Sequence, residues 1–340
     1  PQSSITTLDI VVGGTRLRPV DFGTLRGPNK RIALMPQWDF LQLLAEEGRT
    51  LGTFHLLMGT QATSLLHQDD AVAGVRALGP DGPLRIEAAL TVAADGRGST
   101  VREAAGLHPD ATGVPIDVLW FRLPTPPSPP PDTLGYLRNG TLLVTIPRIG
   151  YYQMGMLIPK GGFEAVKSGG LEAFREKIRA NAPFLAPSLD SLQDWDQVKL
   201  LSVQLDRLSQ WSVPGLLCIG DAAHAMSPVF GVGVNYAVQD AVAAARFLAP
   251  ALLAGEPTGE AMARVQRRRE WPVRLMQPLQ QRVHRVISGA ASGNQELSSW
   301  QARAATLAAR VARPVVARLV GRGFLPERIQ RPGTRHKRRQ

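Results

Sequence analysis

The chain has 340 residues and a mass of 36.8 kDa, with 44% hydrophobic, 20% charged and 6% aromatic residues. That length suits about two domains with sizeable cores, and the composition excludes a disordered, collagen-like or disulfide-stapled protein. The formal charge of +11 is unevenly placed: residues 301–340 hold 11 basic side chains and one acid, Glu327, so the first 300 residues are nearly neutral. The lone Cys218 has no partner within the chain and fits a reducing cytosol. No signal-peptide pattern opens the sequence. The longest apolar run, residues 242–254, is broken by Arg246 and Pro250 and falls short of the roughly 20 residues that span a bilayer. A cytoplasmic protein without a transmembrane segment is expected.

Residues 5–20 read as two strands around Gly13-Gly14, a hairpin signal. Residues 37–48 carry Trp38, Phe40, Leu41, Leu43 and Leu44 at helical spacing and stop at Gly48. From Thr53 to Ala94 the pattern is β, starting with Phe54–Gly59 and including a turn at Asp81-Gly82. The run Pro124–Pro131 reads as a stiff surface loop rather than a linker, because strand-like sequence continues on both sides. Asn139-Gly140 fits a type I′ turn, and strands extend to Ile158. A helix over 170–182, a strand over 198–205 and a buried strand over 213–219 follow. A small-residue helix then spans about Val234 to Leu253. The remainder, to Arg318, is helical with breaks expected at Pro272, Pro278 and Pro314, and Arg267–Arg269 is expected on an exposed face.

The stretch 216–241, LLCIGDAAHAMSPVFGVGVNYAVQDA, carries the strongest chemical signal. A buried strand delivers Gly220 and Asp221 to its carboxyl end, where open α/β sheets bind ligands. Asp221 offers a carboxylate to ribityl or sugar hydroxyls. Gly231 and Gly233 bracket a loop that opens a helix at Val234-Asn235, and amide donors at a helix start favour negative charge. A Gly-x-Gly alone is a weak signal. The roughly ten residues between strand and glycines disfavour a pyrophosphate turn; Asp221 could be a plain helix cap, and His224 reads as a structural hydrogen-bonder rather than a catalyst. Spacing alone therefore supports a nucleotide-like ligand at a strand end.

The residues Gly220, Asp221, Ala222, Ala223, His224, Pro228, Gly231, Gly233, Asn235, Asp240 and Ala241 closely resemble the second FAD motif of the single-component flavoprotein monooxygenases, the group of p-hydroxybenzoate hydroxylase. Residues 92–103, VAADGRGSTVRE, resemble that family's Asp-Gly motif, with Asp95, Gly96, Ser99 and Arg102 in place. Residues 33–48 resemble, more weakly, a helix that often begins with an Arg on FAD. Gln37 stands near that position here, so the contact becomes an uncharged amide hydrogen bond. The resemblance covers about residues 5 to 290. No Gly-x-Gly-x-x-Gly occurs in the chain, so the first βαβ unit of the family's nucleotide fold is expected to be missing.

The resemblance implies an α/β (α+β) fold: a Rossmann-like FAD-binding domain at 31–106 and 206–262, a β-rich substrate domain at 1–30 and 107–205, a helical region at 263–330 and a basic tail at 331–340. It implies FAD as cofactor, NAD(P)H as co-substrate, and oxygen transfer from O2 through a flavin C4a-hydroperoxide to a small organic substrate, aromatic or polycyclic. Asp221 would hold the ribityl chain, and Asp95, Gly96 and Arg102 would serve the pyrophosphate region. Gly233, Val234 and Asn235 would face the flavin pyrimidine edge, with Pro228 on the flavin face near the oxygen-transfer point. The middle strands should line the substrate pocket, with Trp120 and the Tyr152, Met154 and Met156 face as candidates. Competing readings are a reductase of unsaturated isoprenoid chains on the same fold and a non-catalytic remnant. A halogenase is disfavoured because the Trp-x-Trp-x-Ile-Pro signature is absent. The tail reads as solvated rather than as a nucleic-acid arm.

Overall fold

A computed structural model describes residues 3–27, 29–130, 135–138, 140–291 and 299–329. Its helices are α1 (Gln37–Arg49), α2 (Thr100–Ala104), α3 (Phe163–Ser168), α4 (Leu171–Asn181), α5 (Gly233–Ala254), α6 (Gly259–Ala291) and α7 (Ser299–Arg322), interspersed with short strands. The chain divides into two compact units. One comprises Pro1–Leu56, Gly113–Val203 and Leu279–Gly321; the other comprises Leu57–Thr112, Gln204–Pro278 and Arg322–Gln340. Residues 31–56 thus group with the β-rich part, and residues 263–278 with the part that carries the two motifs.

The first unit is built on a seven-stranded sheet in the order Lys199–Leu201, Ile116–Pro124, Tyr151–Pro159, Thr141–Pro147, Gly135–Arg138, Thr7–Val12, Thr15–Asp21. Neighbours are antiparallel except Gly135–Arg138 beside Thr7–Val12. The Gly13-Gly14 hairpin forms as expected, with Val12 opposite Thr15 and both glycines at positive φ. Asn139 lies outside the described residues, while Gly140 takes φ +71° at the turn. Side-chain alternation turns Leu119, Phe121, Leu123, Tyr152, Met154 and Met156 toward α4 and the 3-10 segment Pro183–Ser191. There they pack with Phe174, Ile178 and Leu189. Each fully buried apolar side chain in such a core contributes roughly 1.5–3 kcal/mol. The fully buried Asp9 is held by Arg16 and Arg18 at 2.5 and 2.8 Å. Burial pushes its carboxyl up, but the two guanidiniums outweigh that and hold it below its ordinary value. Helix α1 forms where its apolar spacing predicts, yet none of its residues is buried.

In the second unit, Leu216–Cys218 lies between Ser212–Val213 and Thr91–Ala93, and runs parallel to the latter. A separate antiparallel sheet contains Gln61–Gln68, Ala71–Gly79 and Gly82–Glu87, and Asp110–Thr112 pairs with Leu205–Arg207. Gly215, at φ +77°, links the first two sheets: Val72 N–H donates to the Pro214 carbonyl and Thr91 N–H to the Gly215 carbonyl, both at 2.9 Å. The core gathers Trp211, Leu216, Leu217, Cys218, Leu248 and Val265, and burial pushes the Cys218 thiol up to about 12.

Several local expectations are corrected. Residues 54–59 form no strand; Phe54, Leu57 and Met58 are exposed, and the segment finds no neighbouring strand to satisfy its backbone. The strand expected over 198–205 is two short ones, Lys199–Leu201 and Leu205–Arg207, and the 213–219 strand is interrupted by the Gly215 turn. Helix α6 continues through Pro272 and Pro278, and α7 through Pro314. In α6, Val265, Arg269, Val273, Met276 and Gln277 are buried on both sides of the first proline, so packing outweighs the lost backbone bond. Arg269 is fully buried, not on an exposed face. Helix α5 is apolar enough, by length and composition, to cross a membrane. It nonetheless carries the fully buried Asp240, hydrogen-bonded to His224 and ion-paired with Arg269, as a helix serving the core of its unit does.

Candidate cofactor site

The two motifs sit at the carboxyl ends of the parallel strands Thr91–Ala93 and Leu216–Cys218, and both belong to the second unit. After the first strand, Asp95 accepts from the Ser99 hydroxyl and from the Val101 N–H at 3.2 Å. Ser99 caps α2 by accepting from the Arg102 N–H at 3.0 Å. Gly96 turns the chain at φ +88°, with open space where a Cβ would stand. This small loop is therefore held by its own side chains.

Arg102, almost buried, donates from Nη1 to the Ala222 carbonyl at 3.0 Å and from Nη2 to the Arg97 carbonyl at 2.8 Å. Arg97 donates from Nε to Asp221 Oδ2 at 3.1 Å and from Nη2 to the Met226 carbonyl at 3.0 Å. Two arginines thus join the Asp95–Arg102 loop to the Gly220–Met226 loop. Arg97 Nη1 is buried and has no hydrogen-bond partner, so a cationic donor is left unused beside Asp221. The Asp221 side chain keeps about a third of its surface exposed.

Beneath this turn, Gly220 takes φ +59°, and an added Cβ would lie 3.1 Å from Ala237 Cβ on α5. Its N–H donates to Asp240 Oδ2 at 3.0 Å. The same oxygen lies 2.6 Å from His224 Nε2, and Arg269 Nε donates to Oδ1 at 2.9 Å. Burial pushes the Asp240 carboxyl up, but His224 and Arg269 prevail and hold it below its ordinary value. His224 is buried against the Trp211 ring, 5.0 Å between centroids, in the structural role its sequence context suggests.

The loop then runs through Pro228 into Phe230 and Gly231, which take φ +70° and +61°. A left-handed phenylalanine stores strain that the surrounding packing must sustain, and such strain concentrates at functional sites. Helix α5 begins at Gly233 without a side-chain cap, and Val234 and Asn235 are exposed there. Its first amide groups are therefore donors open to an acceptor.

The second unit thus contains Asp95, Gly96, Arg102, Gly220, Asp221, Pro228, Gly231, Gly233, Val234 and Asn235. Gln37 is exposed, as the first residue of α1 in the other unit. In that unit Tyr152, Met154 and Met156 are packed into the closed core, whereas Trp120 lies on the opposite sheet face, against Gly155. That face also carries Arg122, whose guanidinium stands 5.2 Å from the Tyr151 ring centroid, and Gln153. Sequence reasoning missed Arg97, although an arginine between two glycines directly after Asp95-Gly96 was a local signal. It also missed Arg269, for which no local signal exists.

The donor set fits a flavin nucleotide. It offers a carboxylate for hydroxyls, an unused guanidinium N–H for phosphate, and uncapped helix amides for an anionic ring. A profile of the FAD binding domain family matches residues 7–274. The chain is 36% identical over 228 residues to 6-methylpretetramide 4-monooxygenase of Streptomyces rimosus, covering 66% of this chain and 54% of that protein. It is 28% identical over 265 residues to protoasukamycin 4-monooxygenase of Streptomyces nodosus subsp. asukaensis, covering 76% and 65%. It therefore spans between half and two-thirds of the length of these relatives. Among solved structures, PqsL, a probable FAD-dependent monooxygenase from Pseudomonas aeruginosa, superimposes with a TM-score of 0.70 at 20% identity. That match covers 91% of this chain and 82% of PqsL, a likeness of fold alone.

Proposed function

The chain belongs to the FAD binding domain family, and from that premise we propose that it supplies flavin-holding and substrate-facing parts of an FAD-dependent monooxygenase. Its reaction would be hydroxylation of an aromatic, polycyclic substrate at the expense of NAD(P)H and O2. The observation that carries this reading is the joining of the two motif loops by Arg97 and Arg102, which leaves Asp221 partly open and one arginine donor unused. An aromatic substrate is favoured by the likeness to 6-methylpretetramide 4-monooxygenase and protoasukamycin 4-monooxygenase.

Bound FAD supplies the redox chemistry, accepting hydride and activating O2. The protein's own residues bind, orient and stabilise charge. Asp221 would accept hydrogen bonds from the ribityl hydroxyls, and the uncapped amides of Gly233, Val234 and Asn235 would offer donors to negative charge on the flavin ring. Pro228 borders the same loop. The apolar face of the large sheet is spent on its own core, so we assign substrate contact to the opposite face, with Trp120, Arg122, Tyr151 and Gln153. Aromatic rings beside a cation suit an oxygenated polycyclic ring system.

The test is flavin titration by fluorescence quenching. Asp221→Ala should weaken FAD binding by roughly 10–100-fold, the magnitude of a lost hydrogen bond to a charged group. Unchanged affinity in Asp221→Ala would refute the assignment. Oxygen uptake stimulated by an aromatic polycycle separates the hydroxylase from a reductase, which would show none.

A further inference from the structure

Residues 323–329, after α7, form a strap on the second unit, and its anchorage leads into the cofactor motif. Glu327 is 1% exposed in its side chain, although it is the one acid in a basic segment. It lies 2.5 Å from Arg268 Nε and 2.6 Å from Arg246 Nη1, with Arg269 Nη1 at 3.8 Å. Its N–H donates to Gln239 Oε1 at 3.1 Å, Arg269 Nη1 donates to the Leu325 carbonyl at 3.3 Å, and Arg246 Nη2 to the Arg328 carbonyl at 2.8 Å. Leu325 itself takes φ +44°, and Phe324 packs edge-on against Trp271. Short polar contacts anchor this segment and sustain the strained left-handed backbone of Leu325.

Arg269 is the junction. It is fully buried, and besides the strap it donates to Asp240 Oδ1 at 2.9 Å. The other oxygen of Asp240 receives the Gly220 N–H and His224 Nε2. A continuous path therefore runs from Glu327 through Arg269 and Asp240 to the backbone amide that sets the Gly220–Ala222 turn, whose middle residue is Asp221. Asp240 can hold that amide firmly only if its own carboxylate is fixed, and Arg269 is fixed from its far side by the strap.

We propose that the strap around Leu325–Glu327 is a working part of the motif site, with Glu327 and Arg269 as positioning residues for the Gly220–His224 turn. Its effect on the turn rests on this chain's geometry alone; its effect on flavin rests in addition on the function proposed above.

The experiment is hydrogen–deuterium exchange by mass spectrometry on the full chain, with Glu327→Gln and Arg269→Lys, and Arg267→Ala as control. Arg267 shares α6 but is exposed and, among the described residues, pairs with the exposed Glu260. The expected result is exchange of residues 219–224 faster by roughly tenfold in Glu327→Gln, a loss of about 1.4 kcal/mol of local protection. The strands of the seven-stranded sheet and the Arg267→Ala control should stay unchanged. Arg269→Lys keeps the charge but loses the fork, and should show an intermediate effect. Faster exchange in the strap with unchanged 219–224 would overturn the proposal, as would no change anywhere. Should Glu327→Gln fail to fold, Arg268→Gln removes one of Glu327's partners and is read by the same criterion. Flavin titration of the variants is the second readout. If wild type binds FAD and Glu327→Gln binds it equally well, positioning of the site is refuted. If wild type binds no flavin, the functional reading fails while the exchange result still decides the coupling.

Discussion

Replacing Arg269 by methionine tests the buried ion pair beneath the motif. Arg269 and Asp240 are both fully buried and in contact at 2.9 Å, so the substitution leaves a carboxylate inside the protein without its cation. Removing one partner of such a pair costs about 3–5 kcal/mol, because an uncompensated buried charge remains. His224, 2.6 Å from the other Asp240 oxygen, softens this toward the lower end. At about 2.1 cal/mol/K per residue the unfolding entropy of the chain is roughly 0.7 kcal/mol/K, so the melting temperature should fall by about 4–7 °C. The assays are thermal and urea unfolding followed by circular dichroism. They include Asp240→Asn combined with Arg269→Met, which removes both charges and keeps an acceptor for the Gly220 N–H. The double variant should be more stable than Arg269→Met alone. A loss below about 1 kcal/mol, or a double variant as unstable as the sum of its parts, would refute the reasoning. The pH dependence has a definite sign. The Asp240 carboxyl lies below its ordinary value of 3.8 in the folded state, because His224 and Arg269 outweigh burial. Its stabilisation is therefore complete above that value and is lost as pH falls through the lowered folded value. In Arg269→Met the folded value rises, so this acid-side loss should be smaller and should end at higher pH.

Three further outcomes are expected. Burial pushes His284 down to about 4 from 6.5, so the folded state excludes a proton that the unfolded chain binds. Stability should decline as pH falls from 6.5 toward 4, and His284→Gln should flatten that decline in denaturant melts at the two ends of the range. An added Cβ at Gly215 would lie 1.9 Å from the Val72 carbonyl oxygen at φ +77°, so Gly215→Ala should cost about 2 kcal/mol or more by urea unfolding. Met154 is fully buried within the core of the large sheet; Met154→Ala should cost about 2–5 kcal/mol by the same measurement, with ligand affinity unchanged.

Much of the site was legible because its residues are local in sequence. Asp95-Gly96 and Gly220-Asp221 each follow a short strand, each loop is turned by a glycine at positive φ, and the first is also capped by Ser99 a few residues away. Helix α5 starts where Gly231 and Gly233 place it. The face of the seven-stranded sheet that closes into a core was not legible. Alternation separates Tyr152, Met154 and Met156 from Tyr151, Gln153 and Gly155, but both sets could face a ligand until α4 covers one of them. Helical periodicity likewise located α1 without showing that no residue in it would be buried.

The sequence by itself determined the chemistry on offer: a carboxylate and glycines at the ends of two strands, and a helix start free of a cap. These follow from residue type and short spacing, which act within a turn or two of the backbone. Tertiary structure alone decided that Arg97 bridges to Asp221 across 124 positions and that Arg269, read as a surface cation, is buried on Asp240. It also decided that Glu327, one acid among many bases, is enclosed by three arginines. A charged side chain leaves water only where partners distant in sequence converge on it, and no local pattern encodes that convergence.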